Sequence, residues 1–341
     1  MSTTYPRPRF DHLLQLTDRR GTFENGTGRV RARGSGYTVD DAARVLVVSI
    51  REQGPDPILN ALADLSIRFL DEAQGNSGGC RSRMDGFGRW VDEPTIEESW
   101  GRCVWALGTA VAHSNVARTR RAAETSFGRV VHGRSSSPRA MALAALGAAE
   151  LLSFDSSHRT AGKLIDDYAA SVPEPQIDGR WASPRPGINE ANAIVAEAMI
   201  AAGAVLAQAE LLRRGLDLLA WLIDDATSDG HVSPTSTAGR TLADVGPAFG
   251  RHPVDVAALA DACARAASVD DDPIWCEGVG MAAQWFCGAN DAGEPMWDPS
   301  TGGGYDGLRV DGVDSLQSAE STLAVISTLQ QARRLSTALR P

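Results

Sequence analysis

Carboxylates recur at the points where apolar helices begin. They lie in Tyr37-Thr38-Val39-Asp40-Asp41, Thr95-Ile96-Glu97-Glu98-Ser99-Trp100, Asn189-Glu190-Ala191-Asn192, Arg251-His252-Pro253-Val254-Asp255 and Asp314-Ser315-Leu316-Gln317-Ser318-Ala319-Glu320. A single acid in a first turn is explained by capping and by the helix dipole. The consecutive pairs Asp40-Asp41 and Glu97-Glu98 exceed what a cap needs. Carboxyl groups in unlike surroundings can divide their roles, one protonated as general acid and one ionised as general base. Asp41, Glu98 and Glu320 are the candidates for that work, and Asp40, Glu97, Glu190 and Asp255 would line the same opening. Like charges gathered in this way are costly unless they serve a purpose. Arg44 and Arg102 follow the paired acids by one helical turn, where they could pair with them or contact a substrate. Of the aromatic residues near these openings, Tyr37, Trp90, Trp100, Trp181, Trp297 and Tyr305, the ones expected to offer a face for ring stacking are Trp100 and Tyr305. Gln317 and Asp306 flank the same region, Asp306 within the run Thr301-Gly302-Gly303-Gly304-Tyr305-Asp306-Gly307. No GK[ST] follows that run and no strand precedes it, so it is not a phosphate loop. The six histidines lack metal-ligand spacing, and no GxSxG elbow or Cys-His signature is present, which argues against metal and acyl-transfer chemistry.

The bounds are those of an ordinary soluble protein: 341 residues, 43% hydrophobic, 22% charged and a net charge of -10. The negative balance argues against a nucleic-acid partner. Apolar stretches such as Ala140 to Leu152 are too short to span a bilayer, and the opening MSTTYPRPRF has no apolar signal core, which predicts a cytoplasmic location with no membrane partner. Five cysteines without CxxC spacing predict buried free thiols. Lys163 is the sole lysine, so lysine chemistry is largely excluded.

The carboxylates need elements to carry them, and those elements are helices. Alanine-rich runs of helical period fill the chain, and no stretch alternates with a period of two. Six runs are apolar almost all round: Asp41 to Glu52, Glu98 to Ala112, Arg139 to Leu152, Asn192 to Leu206, Val254 to Ala267 and Ser318 to Leu329. Between them fall amphipathic helices near Arg9 to Thr17, Ile58 to Gln74, Ala117 to Val131, His158 to Ala170, Gln208 to Asp225 and Pro273 to Phe286. Alternating buried and amphipathic helices predict an all-α (α/α)6 toroid, a single domain over residues 1–341 with six inner and six outer helices. A superhelical solenoid is the runner-up. The long irregular stretches, Gly21 to Val39, Asn76 to Ile96, Ser228 to Pro253 and Ala289 to Leu316, all precede inner helices and so meet at one mouth.

The segments Phe10 to Asp18, Gly36-Tyr37-Thr38-Val39-Asp40-Asp41-Ala42-Ala43-Arg44, Glu97 to Arg102 with Trp105-Ala106-Leu107-Gly108, Trp285 to Asn290, and Ala319-Glu320-Ser321-Thr322-Leu323-Ala324 resemble a bacterial family of (α/α)6 proteins. Its members are often described as glycosyltransferase-associated and are similar to six-hairpin glycosidases. Ala42, Trp100, Ser318 and the stretch Arg251 to Val254 depart from that family's pattern, so the scaffold carries over better than the substrate. The resemblance implies a carbohydrate-active enzyme. With the acid pairs, it points to a metal-independent and cofactor-free glycoside hydrolase acting on an oligosaccharide or polysaccharide. In that reading Trp100 and Tyr305 stack on sugar rings, and Tyr37, Asp40, Arg44, Glu97, Arg102, Glu190, His252, Asp255, Asp306 and Gln317 hold the substrate. The alternatives are a lyase or epimerase with Tyr37, Tyr305 or His252 as base, and a non-catalytic glycan-binding protein or partner of a glycosyltransferase.

Overall fold

The computed structural model describes residues 5–27, 30–31, 34–52, 54, 56–172, 190–228, 230–233, 252–309 and 312–338. Within them, six long helices pack side by side: α2 (Val39–Arg51), α4 (Glu98–His113), α6 (Pro138–Phe154), α8 (Glu190–Val205), α10 (Pro253–Ala266) and α12 (Ala319–Ala338). Each touches the next, and α12 touches α2, so the row closes into a ring. Six more helices alternate with them on the outside: α1 (Asp11–Leu16), α3 (Pro57–Ala73), α5 (Ala117–Val130), α7 (Arg159–Ser171), α9 (Ala209–Ala226) and α11 (Pro273–Phe286). This is the (α/α)6 toroid that the alternating polarity predicts, and the closure excludes the solenoid.

The sequence explains both layers. Every residue of α4 from Trp100 to Val111 and of α6 from Ala140 to Leu152 is buried, as an all-apolar helix requires. Small residues let the backbones touch: a Cβ built on Gly147 would lie 2.2 Å from the Val104 carbonyl oxygen, and one on Gly108 would lie 2.1 Å from that of Gly147. Helix starts are fixed by caps. Ser137 caps α6 ahead of Pro138, Asp56 caps α3 ahead of Pro57, and Asp272 caps α11 ahead of Pro273.

The inner helices run parallel. Arg44 on α2 reaches Glu320 on α12, and Arg51 reaches Ser327, both across a separation of 276 residues, so the two helices advance in step. All six N-termini therefore open at one end, here the near mouth, and all six C-termini at the far mouth.

Short strands are an addition to the predicted picture. β1 (Gly26–Thr27) pairs with β2 (Val30–Arg31), β3 (Tyr37–Thr38) with β4 (Arg83–Met84), β5 (Thr227–Ser228) with β6 (His231–Val232), and β7 (Gly307–Arg309) with β8 (Gly312–Asp314). Two or three residues are too few to imprint a period of two. All of them lie in the segments that precede inner helices, where they stiffen the near mouth. The β3–β4 ladder ties the entrance of α2 to the loop that leads into α4.

Candidate functional site

The near mouth carries a lacework of ion pairs between neighbouring inner helices. Arg139 of α6 pairs with Glu98 of α4 at 3.2 Å, Arg102 of α4 with Asp40 of α2 at 3.5 Å, and Arg44 of α2 with Glu320 of α12 at 2.7 Å. Each arginine reaches the inner helix next to its own in the same rotational sense. Pairing within one helix, which the one-turn spacing suggests, is replaced by pairing across helices, because these arginines are mostly buried and face the ring. The Arg102 guanidinium also lies 5.7 Å from the centre of the Trp105 ring.

Asp41 stands apart. It is 3% exposed, and among the described residues no ion pair joins it. The Thr38 hydroxyl donates to its Oδ2 at 2.7 Å, and the Asp41 N–H donates back to Thr38 Oγ1 at 3.0 Å. Burial pushes its carboxyl up to about 7; the Thr38 hydrogen bond opposes the rise and the nearby Glu320 charge adds to it. Asp40, one residue earlier, points the other way, towards Arg102 and the Ser99 hydroxyl at 3.4 Å. Two adjacent carboxyl groups thus occupy opposite environments, one buried and protonated to neutral pH, the other paired with a cation. Beside them Glu24, on the loop before α2, is raised by burial although Arg83 pairs with it.

The other expected residues divide. Glu320 and Glu98 are open to solvent at the mouth, each held by its arginine. Glu97 is exposed at the start of α4 and makes no capping bond. His252 is exposed before α10, and Asp255 is half-buried in its first turn. Glu190 opens α8, but its side chain lies outside the described residues. Tyr305 is half-buried in the loop before α12.

Four assignments are corrected. Trp100 is wholly buried and its indole N–H donates to the Val130 carbonyl at 2.8 Å, so it is core and has no face for a ligand. Tyr37 is 1% exposed between Phe23 and Phe69, with its hydroxyl donating to Asp18, which removes it both as a substrate contact and as a base. Asp306 accepts from the Ser318 N–H at 2.8 Å and hydroxyl at 2.5 Å, and Gln317 donates to the Gly303 carbonyl at 3.2 Å. Their side chains fasten the glycine-rich loop to the start of α12.

Sequence reasoning missed two residues inside the ring, Trp105 and Glu197. Both line a cavity of about 50 Å³ on the axis, walled mainly by Val47, Leu143, Leu146, Ile194, Ala257 and Leu323. Spacing could have found Glu197, since it is the one acid in the otherwise apolar stretch from Ala193 to Val205 of α8. Among the described residues, no group of three or more His, Cys, Asp or Glu is placed to hold a metal ion, and no helix is long and apolar enough to cross a membrane.

No protein-family model matches the sequence, and neither does any curated relative. Solved structures do match. A sugar epimerase from a ruminal bacterium superposes with a TM-score of 0.70 at 14% identity, over 97% of this chain and 96% of its own. The cellobiose 2-epimerase of Spirochaeta thermophila gives 0.68 at 14% identity over 98% and 95%. An inactive variant of an α-1,6-mannanase from Salegentibacter, with two consecutive aspartates changed to asparagine and α-1,6-mannotriose bound, gives 0.63 at 13% identity over 95% and 98%. The fold is that of the six-hairpin glycosidases. At these identities the likeness speaks for the architecture alone, and nearly the whole length of each chain shares it.

Proposed function

We propose that the near mouth is the active site of a carbohydrate-active enzyme that cleaves a glycosidic bond by general acid and base. The observation that carries this reading is the contrast between Asp41, protonated by burial, and its ion-paired neighbours Asp40 and Glu320. Asp41 donates its proton to the departing glycosidic oxygen. Glu320, held in place by Arg44, takes a proton from the water that attacks the anomeric carbon. Asp40, fixed by Arg102, accepts from substrate hydroxyls, and Tyr305 supplies a ring face. The mannanase whose tandem aspartates are replaced in an inactive form supports a role for a tandem pair on this architecture.

A second reading, epimerisation or isomerisation of a sugar, is favoured by the near full-length likeness to sugar epimerases and to a D-mannose isomerase. The same acid and base would then move a proton on and off carbon, with the exposed His252 ahead of α10 as a further candidate base. A glycan-binding protein that serves a glycosyltransferase is the third.

One screen separates them. Purified protein is incubated with α-mannan oligosaccharides, β-linked disaccharides and free hexoses, and products are resolved by chromatography. New reducing ends that vanish in Asp41→Asn support cleavage, and a stereoisomer of the input sugar supports epimerisation. Binding without any product would overturn both enzymatic readings.

A further inference from the structure

The far mouth holds more buried charge than the near one. A cavity of about 640 Å³ opens there, within the size range of small-molecule sites. It is lined by residues near the C-terminal ends of the inner helices, and its ionic partners are already arranged. Asp261 accepts from Arg51 at 2.8 Å, from Gln331 at 2.5 Å and from Ser327. Glu150 is held between His113, at 2.5 Å, and Arg265. These contacts outweigh burial and keep the Glu150 carboxyl well below its usual range.

Several lining groups are left without a close ionic partner among the described residues. Glu197 is 5% exposed and accepts no hydrogen bond among the described residues; its nearest cation is the Arg265 Nε at 3.7 Å. Arg334 donates to the Ala264 carbonyl and pairs with no carboxylate among the described residues; burial, then the nearby Arg51 and Arg265 charges, weighs against its own charge. Arg7 and Arg333 on the rim are likewise without a carboxylate among the described residues. The carbonyl ends of six helices converge here and should repel anions, yet the lining carries five arginines, Arg7, Arg51, Arg265, Arg333 and Arg334, against the four acids Glu52, Glu150, Glu197 and Asp261, in a chain of net charge -10. No Phe, Tyr or Trp lines the cavity among the described residues, so a neutral sugar lacks a broad ring to stack on.

We propose that the far mouth is a second binding site, for a small polyhydroxy anion such as a sugar phosphate or sugar acid, with Arg334, Arg333 and Arg7 holding the anionic group and Glu197 a hydroxyl. Guanidinium forks suit phosphate and carboxylate alike. The inference draws on nothing at the near mouth.

The test is isothermal titration of the full chain with glucose 6-phosphate, gluconate and glucose. Binding of either anion but not of glucose is expected, and the stronger anion names the source. Arg334→Gln should weaken it about tenfold to a hundredfold, the value of a charge-assisted hydrogen bond, while Asp41→Asn at the near mouth leaves it unchanged. A thermal melt of each variant confirms folding, which the exposed Arg334 makes secure. The proposal is overturned by absence of anion binding, by equal binding of glucose, by an Arg334→Gln variant with wild-type affinity, or by loss of binding in Asp41→Asn.

Discussion

Arg44 and Arg51 lie seven residues apart, two turns of α2, and grip α12 at two levels, Arg44 through Glu320 and Arg51 through Ser327 and, on α10, Asp261. One helix face thus serves both ends of the ring. Arg51 and Asp261 are 18% and 15% exposed, so removal of the cation strands a largely buried anion. Arg51→Leu is expected to lower unfolding free energy by about 3 kcal/mol, read from the urea midpoint. A cost under about 0.5 kcal/mol, typical of a surface substitution, would show that Ser327 and Gln331 suffice for Asp261.

Stability should fall as pH rises through the acid range because of Asp41. Its carboxyl moves from 3.8 to about 7 on folding, so the unfolded chain ionises first. Below pH 3.8 both states are protonated and nothing is lost; between there and about 7 the folded state is progressively penalised, by an amount on the order of 4 kcal/mol in full. Asp41→Asn removes the penalty. Its melting temperature should equal that of the wild type near pH 4 and exceed it increasingly up to pH 7. A constant difference across that range would place the Asp41 carboxyl in the ordinary range.

Glu320→Gln tests the base. The pair with Arg44 is 45% exposed on the Glu320 side, so its loss costs at most about 1 kcal/mol. Turnover, by contrast, should drop about 100-fold to 10,000-fold. The residual activity should lose its alkaline limb at a lower pH than the wild type, since the Glu320 charge helps to raise Asp41. Full turnover in a well-folded variant would remove Glu320 from the chemistry.

Gly147→Ala probes the α4–α6 seam. The added methyl would meet the Val104 carbonyl oxygen at 2.2 Å, and backbone cannot swing aside as a side chain can. A loss of about 1–3 kcal/mol is expected from overpacking, despite the better helix propensity of alanine. A more stable variant in calorimetry would mean that the seam opens without strain.

Much of this was legible in the residues. The apolarity of segments such as Ala140 to Leu152 marks an inner wall because only Glu150, near its end, interrupts it, and caps such as Ser137-Pro138 set where the helix begins. The position of the acids at one mouth follows from parallel inner helices. Which way a side chain turns is another matter. Trp100 follows Glu97-Glu98 so closely that it reads as part of the mouth, but one step along a helix rotates a side chain by about 100°, here from the opening into the core. Tyr37 is drawn inwards for the same kind of reason, by Phe23 and Phe69 from distant segments. The far mouth left no local trace, since Arg51, Glu150, Glu197, Asp261 and Arg334 come from five helices and form no motif.

The closure of α12 on α2 has a bearing on how the chain acquires its shape. The contacts that complete the circle join residues 276 positions apart, and Ala319, Leu323 and Ile326 fill the small apolar cluster of Leu13, Leu16, Val45, Val48, Leu59 and Leu62. Helix pairs α2–α3 through α10–α11 can condense locally as they are synthesised, but this joint must wait for the last helix. Until then the α2 face that α12 covers is bare, and Asp41 lacks the neighbouring Glu320 charge. The proposed acid and base therefore come together only when the last helix closes the ring.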